Sequence, residues 1–505
     1  PKSMADEIEK ILQEQNIEMK VAWIDGDDIK DDIERLQEEG EAFINIDRGI
    51  PLSESSNKVV TANTYFGAWG IKEALDQGAD IVVCPRVTDA AVVIGPAAWK
   101  FNWARNDYDA LAGALAAGHI IECGAQCCGG NYSFFEEVPS FRDVGYPIAE
   151  IEADGSFVVT KHPETGGLVS VGTVKAQLLY EISSPAYLNP DVIAHFDTMS
   201  IEQQGDDRVY VSGCRGSSPP ATHKVCINTA GGFRNSMEML LTGLDIEEKA
   251  EMFTDTLFQS VGGQEQFDDV TIQLIRNDKE DPKTNEEAYA RLRINVKSKD
   301  SALVGRIFSA KVIELALASF PGFGSSSAGA GGAYISYWPA LVDSKHIIET
   351  VHMDGKSIDV RPTNQLNLDA IYYQKMPVKI PEYPQGETIR IPFGRLFGTR
   401  SGDKGGNANV GIWARTPEAF GFLHAFLTVE RFQALLADTA EFKIERFELP
   451  NLHALNFYIH GILGEGVSSS VRIDGQAKTM GEYLRAKIID VPVEIAKQLT
   501  TDIAK

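Results

Sequence analysis

Two short stretches concentrate the side chains capable of chemistry. The first, HIIECGAQCCGGNYS (residues 119–133), holds His119, Glu122, Cys123, Gln126, Cys127 and Cys128 within ten positions and ends on Gly129, Gly130, Asn131, Tyr132 and Ser133. It can be read as a metal site, a cysteine nucleophile or a buried turn rich in sulfur. Zinc sites use cysteine pairs repeated at a distance, and Cys84, Cys214 and Cys226 are scattered singles, so no metal ligand set is expected. A nucleophile needs a base within reach. His119 lies four residues before Cys123, but Gly118 reads as the end of the preceding helix, 107–119. Free cysteines in apolar sequence are most often small buried hydrophobes. Glu122 is harder to dismiss, because a carboxylate between Ile121 and Cys123 is costly to bury without a partner. Gly129 and Gly130 allow close backbone approach to a ligand or to another strand.

The second stretch is GTRSGDKGGNAN (residues 398–409). It fails the phosphate-loop pattern: three residues separate Gly398 from Gly402, and Asp403 intervenes before Lys404. The next element, Val410–Ala414, reads as a strand and offers no helix N-terminus. A Gly-rich loop whose N–H groups converge on an anion, with charge from Arg400 and Lys404, is one expectation. There, Asp403 beside Lys404 would form a proton-transfer pair if partly buried. A turn whose Asp and Asn satisfy their own backbone is an equal alternative. Arg86 and Asp89 follow a buried strand where a ligand cleft, or a structural ion pair, would stand. Lys161, Thr165 and Gly166, in KHPETGG, form a polar turn able to close over a substrate. His453 and His460 read as packing residues.

These residues must be positioned by several units. With 505 residues, more than one core is expected. Residues 1–204 alternate helix and strand patterns, as in 20–24, 67–77 and 79–84, and imply an α/β, doubly wound parallel-sheet domain. Acidic residues Asp25, Asp27 and Asp28 end its first strand, where open sheets place ligand contacts. Residues 205–374 suggest an α+β region with strands at 207–213, 222–230, 268–275, 289–297 and 334–341. Its helices are expected at 246–261, with Ile246, Met252, Phe253 and Leu257 on one face, and at 301–319. Gly322–Gly332 reads as a Gly/Ser/Ala linker or a lid. A Pro-rich linker, 375–386, precedes a C-terminal ferredoxin-like α+β domain, 387–505.

Hydrophobic residues make up 43% and charged residues 24%, the balance of a globular protein. The net charge of −25 argues against nucleic acid or an anionic membrane as partner, while leaving a small anionic ligand open. Six cysteines do not make a disulfide framework, which favours a reducing, cytoplasmic compartment. There is no apolar run of membrane-spanning length and no signal peptide.

GHIIECGAQCCGGNYS, GYPIAEIEADGSFVVTKHPETGGLVSVGTVKAQLLYEI, PAYLNPDVIAHF, DRVYVSGCRG and RSGDKGGNANVGIWAR together resemble the acyclic terpene utilisation (AtuA) family nearly end to end. Glu122, Cys123, Gly124, Ala125, Gln126, Gly129 and Gly130 match its Glu-Cys-Gly motif. Cys127 falls at a variable position, and Cys128 stands where Thr is usual, which weighs further against a three-cysteine metal site. Arg400, Ser401, Gly402, Asp403, Lys404, Gly405 and Asn409 match the C-terminal motif; Lys161, Thr165, Gly166 and Gly167 match the central one. The resemblance also implies a family segment ahead of Pro1.

The residues and the resemblance together assign Glu122, Cys123, Asp403 and Lys404 to catalysis. They assign Gln126, Gly129, Gly130, Asn131, Arg86, Asp89, Lys161, Thr165, Gly166, Arg400, Ser401 and Asn409 to substrate binding. The function expected is that of a catabolic enzyme acting on a branched or terpenoid-derived acyl-CoA or carboxylate, by lyase, hydratase or hydrolase chemistry. No tightly bound cofactor is expected, coenzyme A arriving as part of the substrate, and a homo-oligomer is expected. The alternatives are a non-catalytic scaffold subunit for acyl-CoA enzymes and a cysteine-dependent thioesterase.

Overall fold

A computed structural model describes residues 1–327, 329–362 and 379–497. Most of the proposed linker, from 379 to 386, is described and has no regular helix or strand; its residues 375–378 lie outside the described residues.

The architecture is mixed α/β. Near the N-terminus, strands Val21–Asp25 and Ile81–Val83 are parallel, in register Val21 to Ile81. The parallel character of the expected sheet is confined to this pair, because the hairpin Glu349–Met353 and Lys356–Val360 adds to its other edge antiparallel. Sequence distance hides such a partner, which returns from more than 300 residues away. Helix Trp69–Asp76 packs on this sheet, Ala91–Phe101 packs on that helix, and Tyr108–Ile121 packs on Ala91–Phe101. Every residue from Leu111 to Ile120 is buried, as a helix apolar on all sides requires. The helix runs past Gly118, whose missing side chain lets it approach Ala90.

In the middle of the chain the strands expected at 222–230, 268–275, 289–297 and 334–341 share one antiparallel sheet, with a difference at its centre, whereas the one expected at 207–213 is corrected: Arg208–Ser212 pairs with Phe157–Lys161 and Ser200–Gly205 in another sheet. The strand read as 222–230 continues through Gly231 and Gly232 to Thr242. Its pairing with Gly332–Asp343 shifts register between Ala230 and Gly232. Such an irregularity bends a strand without ending it. One strand therefore serves two cores: Val225 and Ile227 join the N-terminal cluster, while Met237, Met239 and Leu241 pack with Phe253 and Leu257 of helix Ile246–Ser260. Met252, placed on that helix's apolar face by its spacing, is 40% exposed instead. The Gly322–Gly332 stretch contains a short strand, Gly324–Ser327, paired to the same long strand.

The C-terminal unit is an antiparallel sheet, in the order Phe397–Lys404, Asn407–Ala414, Ala454–Ile459, Ile444–Leu449. Its own core includes Phe393, Phe397, Phe420, Phe432 and Phe457.

Candidate functional site

The stretch expected as a Gly-rich loop is a tight hairpin. Thr399 pairs with Ile412, Asp403 with Ala408 and Lys404 with Asn407, leaving only Gly405 and Gly406 in the turn. Gly405 takes φ +68°, the left-handed conformation a two-residue hairpin turn demands. The turn is tied to a distant loop, since Asp47 accepts from Gly406 N at 3.2 Å and from Asn407 Nδ2 at 2.6 Å.

The two stretches meet. Ser133 Oγ donates to Thr399 O at 2.8 Å and accepts from Thr399 N at 2.9 Å. Gln126 Oε1 accepts from Arg400, whose guanidinium lies 4.3 Å from the Tyr180 ring centre. Beside this contact lies a cavity of about 620 Å³, walled by all three parts of the chain: Asp47, Tyr65 and Asp89; Glu181 and Tyr187; Lys224 and Tyr337; Asp403 and Lys404. The volume lies within the roughly 300–1,000 Å³ of small-molecule sites.

Its polar groups perturb one another. Burial, then the Glu122 charge, holds the Asp89 carboxyl above its usual range. Burial raises Glu181 too, with Asp403 and Glu122 adding repulsion against a hydrogen bond from Tyr180. Asp403 is raised chiefly by burial. Burial, reinforced by Lys404, lowers the Lys224 ammonium to about 8. Three carboxyls are thus shifted toward neutral pH, the condition for general acid–base work. Lys404 Nζ stands 5.3 Å from the Tyr187 ring centre. Behind that ring are His119, whose ring centre is 5.0 Å away, and Glu122, whose Oε1 is 3.4 Å from His119 Nδ1. Glu122 Oε2 and both His119 ring nitrogens have no hydrogen-bond partner among the described residues.

Of the residues assigned from sequence, Asp89, Asp403 and Lys404 line this cavity. Arg86 lies at its edge, 5.4 Å from the Tyr65 ring centre. Glu122 sits one layer back, and Gln126 Oε1 accepts from both Arg400 and, at 3.3 Å, Asn131 Nδ2.

The others make contacts within the chain. Lys161 is buried, pairs with Asp207 at 3.1 Å and donates to Thr165 O at 2.9 Å, so its KHPETGG turn closes on itself. Gly166 packs against Arg142 O and Ser140. An added Cβ at Gly129 would lie 2.7 Å from Val138, and one at Gly130 would lie 2.9 Å from Ala125 O, so both glycines serve packing. Ser401 Oγ is spent on Gly481 N at 3.0 Å. Asn409 is fully buried and clamps segment 179–181, donating to Leu179 O at 2.7 Å and accepting from Glu181 N at 2.9 Å. Burial pushes the Cys123 thiol up, the reverse of an activated nucleophile. Asp27, two residues past the first strand, accepts from Asn63 Nδ2 at 2.8 Å and from Arg86 N at 3.3 Å.

Sequence reasoning missed Glu181, Lys224 and Tyr187. Glu181 follows the helix Val171–Leu178, fixed by a Ser170/Thr173 capping box, and is held at φ 55°. Its signal was an acid placed directly after an apolar helix end. Lys224 alternates with buried His223 and Val225, so the strand period puts it on the opposite face. Only the neighbours of that face reveal that it lines a cavity.

These features define a class: a mixed α/β protein with acid–base side chains converging where three units meet, one of them a C-terminal ferredoxin-like domain. Residues 391–490 match the AtuA ferredoxin-like domain, and residues 1–353 match the acyclic terpene utilisation family protein AtuA. The chain belongs to the AtuA family, associated by that description with acyclic terpene utilisation. Comparison with curated proteins and with solved structures gives no match. Among the described residues, no helix is long and apolar enough to cross a membrane, and no three His, Cys, Asp or Glu residues are grouped to hold a metal ion.

Proposed function

We propose that this chain is a catabolic enzyme that works by general acid–base chemistry on a branched, terpenoid-derived acyl-CoA or carboxylate. The supporting observation is the convergence of Asp89 and Glu181 from the N-terminal part and Asp403 and Lys404 from the C-terminal part onto one cavity whose wall also carries Asp47, Lys224 and apolar and aromatic side chains such as Tyr65, Tyr187 and Ile335. An apolar wall suits a branched chain, and a cation above an aromatic face suits its anionic end. Lys404, with Arg86 at the edge, binds the carboxylate or stabilises an enolate. Asp89, Glu181 and Asp403 give and take protons, and Glu122 supplies charge from behind Tyr187. Lyase, hydratase and hydrolase chemistry all use this equipment, with coenzyme A brought in by the substrate. Cys123, held as a thiol, has no part in it.

The test is turnover of a branched acyl-CoA panel by the whole chain. Glu181→Gln and Asp403→Asn should each lower kcat by about 10²–10⁴-fold, the usual worth of a positioned acid or base. Absence of turnover over the panel, together with tight binding to an acyl-CoA carboxylase or hydratase, would replace the proposal with the scaffold role.

A further inference from the structure

We propose that Lys224 is a nucleophilic amine that captures a carbonyl carbon of the substrate as an imine. This rests on reading the cavity as a catalytic site, and it narrows the substrate to a carboxylic acid or ester that also carries a ketone or aldehyde.

The placement of Lys224 carries the inference. Its strand, Thr222–Thr242, directs His223, Val225 and Ile227 into the core and brings Thr222, Lys224 and Asn228 to the cavity wall. There Nζ lies 5.8 Å from the Tyr65 ring centre and 5.9 Å from that of Tyr337. Among the described residues, no carboxylate forms an ion pair with it. The charges acting on it are Lys404, which disfavours the ammonium, and Asp47 and Cys226, which favour it and do not offset burial. A lysine kept only to hold an anion gains from full charge. An amine desolvated beside a second cation is the arrangement that frees a lone pair. Burial also keeps the Tyr65 and Tyr337 hydroxyls protonated, so each can donate to a carbonyl oxygen. Desolvation beside Lys404 thus leaves more of this amine neutral near pH 8 than of an exposed lysine.

The step balances without oxidant or reductant. The Nζ lone pair forms the C–N bond while the C=O π pair moves to oxygen. One nitrogen proton passes to that oxygen, giving a carbinolamine. The hydroxyl then departs as water with the second nitrogen proton, leaving C=N. Once protonated, the imine accepts the electron pair of an adjacent C–C bond as a β-hydroxyl loses its proton to a cavity carboxylate. A carbonyl product leaves and an enamine stays on Lys224, to be protonated at carbon and hydrolysed.

The experiment is reductive trapping. The full chain is incubated at pH 8 with levulinate, a small keto acid, and borohydride, and the adduct is mapped by peptide mass spectrometry. Lys224 should carry the adduct in at least about tenfold excess over every other lysine. Lys175 is the internal control, because burial lowers it to about 8 as well but it does not line the cavity. Equal or preferential labelling of Lys175, or labelling of Lys224→Arg to the wild-type extent, would overturn the proposal. Trapping is independent of acyl-CoA turnover. No adduct in a chain that turns over acyl-CoA sinks the imine alone; an adduct at Lys224 in a chain inert toward the acyl-CoA panel supports the imine and sinks the acyl-CoA reading.

Discussion

Replacing Asn409 with Ala probes how the C-terminal domain builds the cavity. Asn409 is fully buried; its Nδ2 donates to Leu179 O at 2.7 Å and to Asn456 Oδ1 at 2.9 Å, and its Oδ1 accepts from Glu181 N at 2.9 Å. Alanine cuts all three bonds and leaves buried groups unpaired. At about 1 kcal/mol for each bond, the local loss is about 3 kcal/mol. Glu181 sits at φ 55°, a left-handed conformation that costs a non-glycine residue about 1–2 kcal/mol. Once Asn409 releases its N–H, that strain favours relaxation and draws the carboxyl off the cavity wall. Asn456 still holds Ser183 O at 2.8 Å, so opening should centre on 179–181. Hydrogen exchange by mass spectrometry reads this directly: peptides covering 179–182 should lose protection by about 100-fold, the equivalent of about 3 kcal/mol. Turnover should fall with it while the core helix Tyr108–Ile121 keeps its protection. Protection at 179–182 within about threefold of wild type would refute the view that this clamp positions Glu181.

Other expectations are equally specific. Asp191 and Glu349 are buried at the start of helix Trp69–Asp76, accepting from Ala68 N at 2.9 Å and Gly70 N at 2.8 Å, and burial raises them to about 6 and about 8. Because the folded chain keeps these protons longer than the unfolded one, the stability these groups contribute is fully present below about pH 4, the unfolded carboxyl range. It falls as pH rises toward 8, by up to about 1.4 kcal/mol per pH unit for each group titrating. Glu349→Gln should flatten that fall in a thermal melt series, and an unchanged slope would count against it. Cys123→Ser should keep kcat within about threefold, and iodoacetamide at pH 7 should not inactivate, because partial burial raises this thiol and disfavours its thiolate; inactivation would restore the thioesterase reading. Arg400→Lys should destabilise the chain by about 1–2 kcal/mol in chemical denaturation, because an ammonium cannot both reach Gln126 and stack on Tyr180.

How far the site could be read from sequence depends on the range of the interaction that makes each residue informative. Asp403 and Lys404 stood out because two charges adjoin glycines in a short motif, and they do face the cavity. Ser401 and Asn409 belong to the same motif, yet they lie farther from the turn, where Ser401 Oγ accepts from Gly481 N and Asn409 donates to Leu179 O. A loop would have left all four free to converge; in the hairpin only Asp403 and Lys404, next to the Gly405–Gly406 turn, reach the cavity. In the first stretch, Gly118 read as a stop because glycine weakens helices, whereas close packing on Ala90 outweighed propensity.

Local chemistry in the chain determined much by itself: the mixed α/β class, the C-terminal ferredoxin-like domain, and the family blocks around Glu122 and Asp403. Those properties depend on side-chain period and short motifs, which neighbouring residues carry. Tertiary structure decided what faces what. It brought Gln126 to Arg400 and Ser133 to Thr399, and set Lys224 beside Lys404 in a wall shared with Glu181. The acidity of those groups depends on desolvation and on charges from residues up to about 300 positions away in the chain, and burial of that kind exists only once the units have packed.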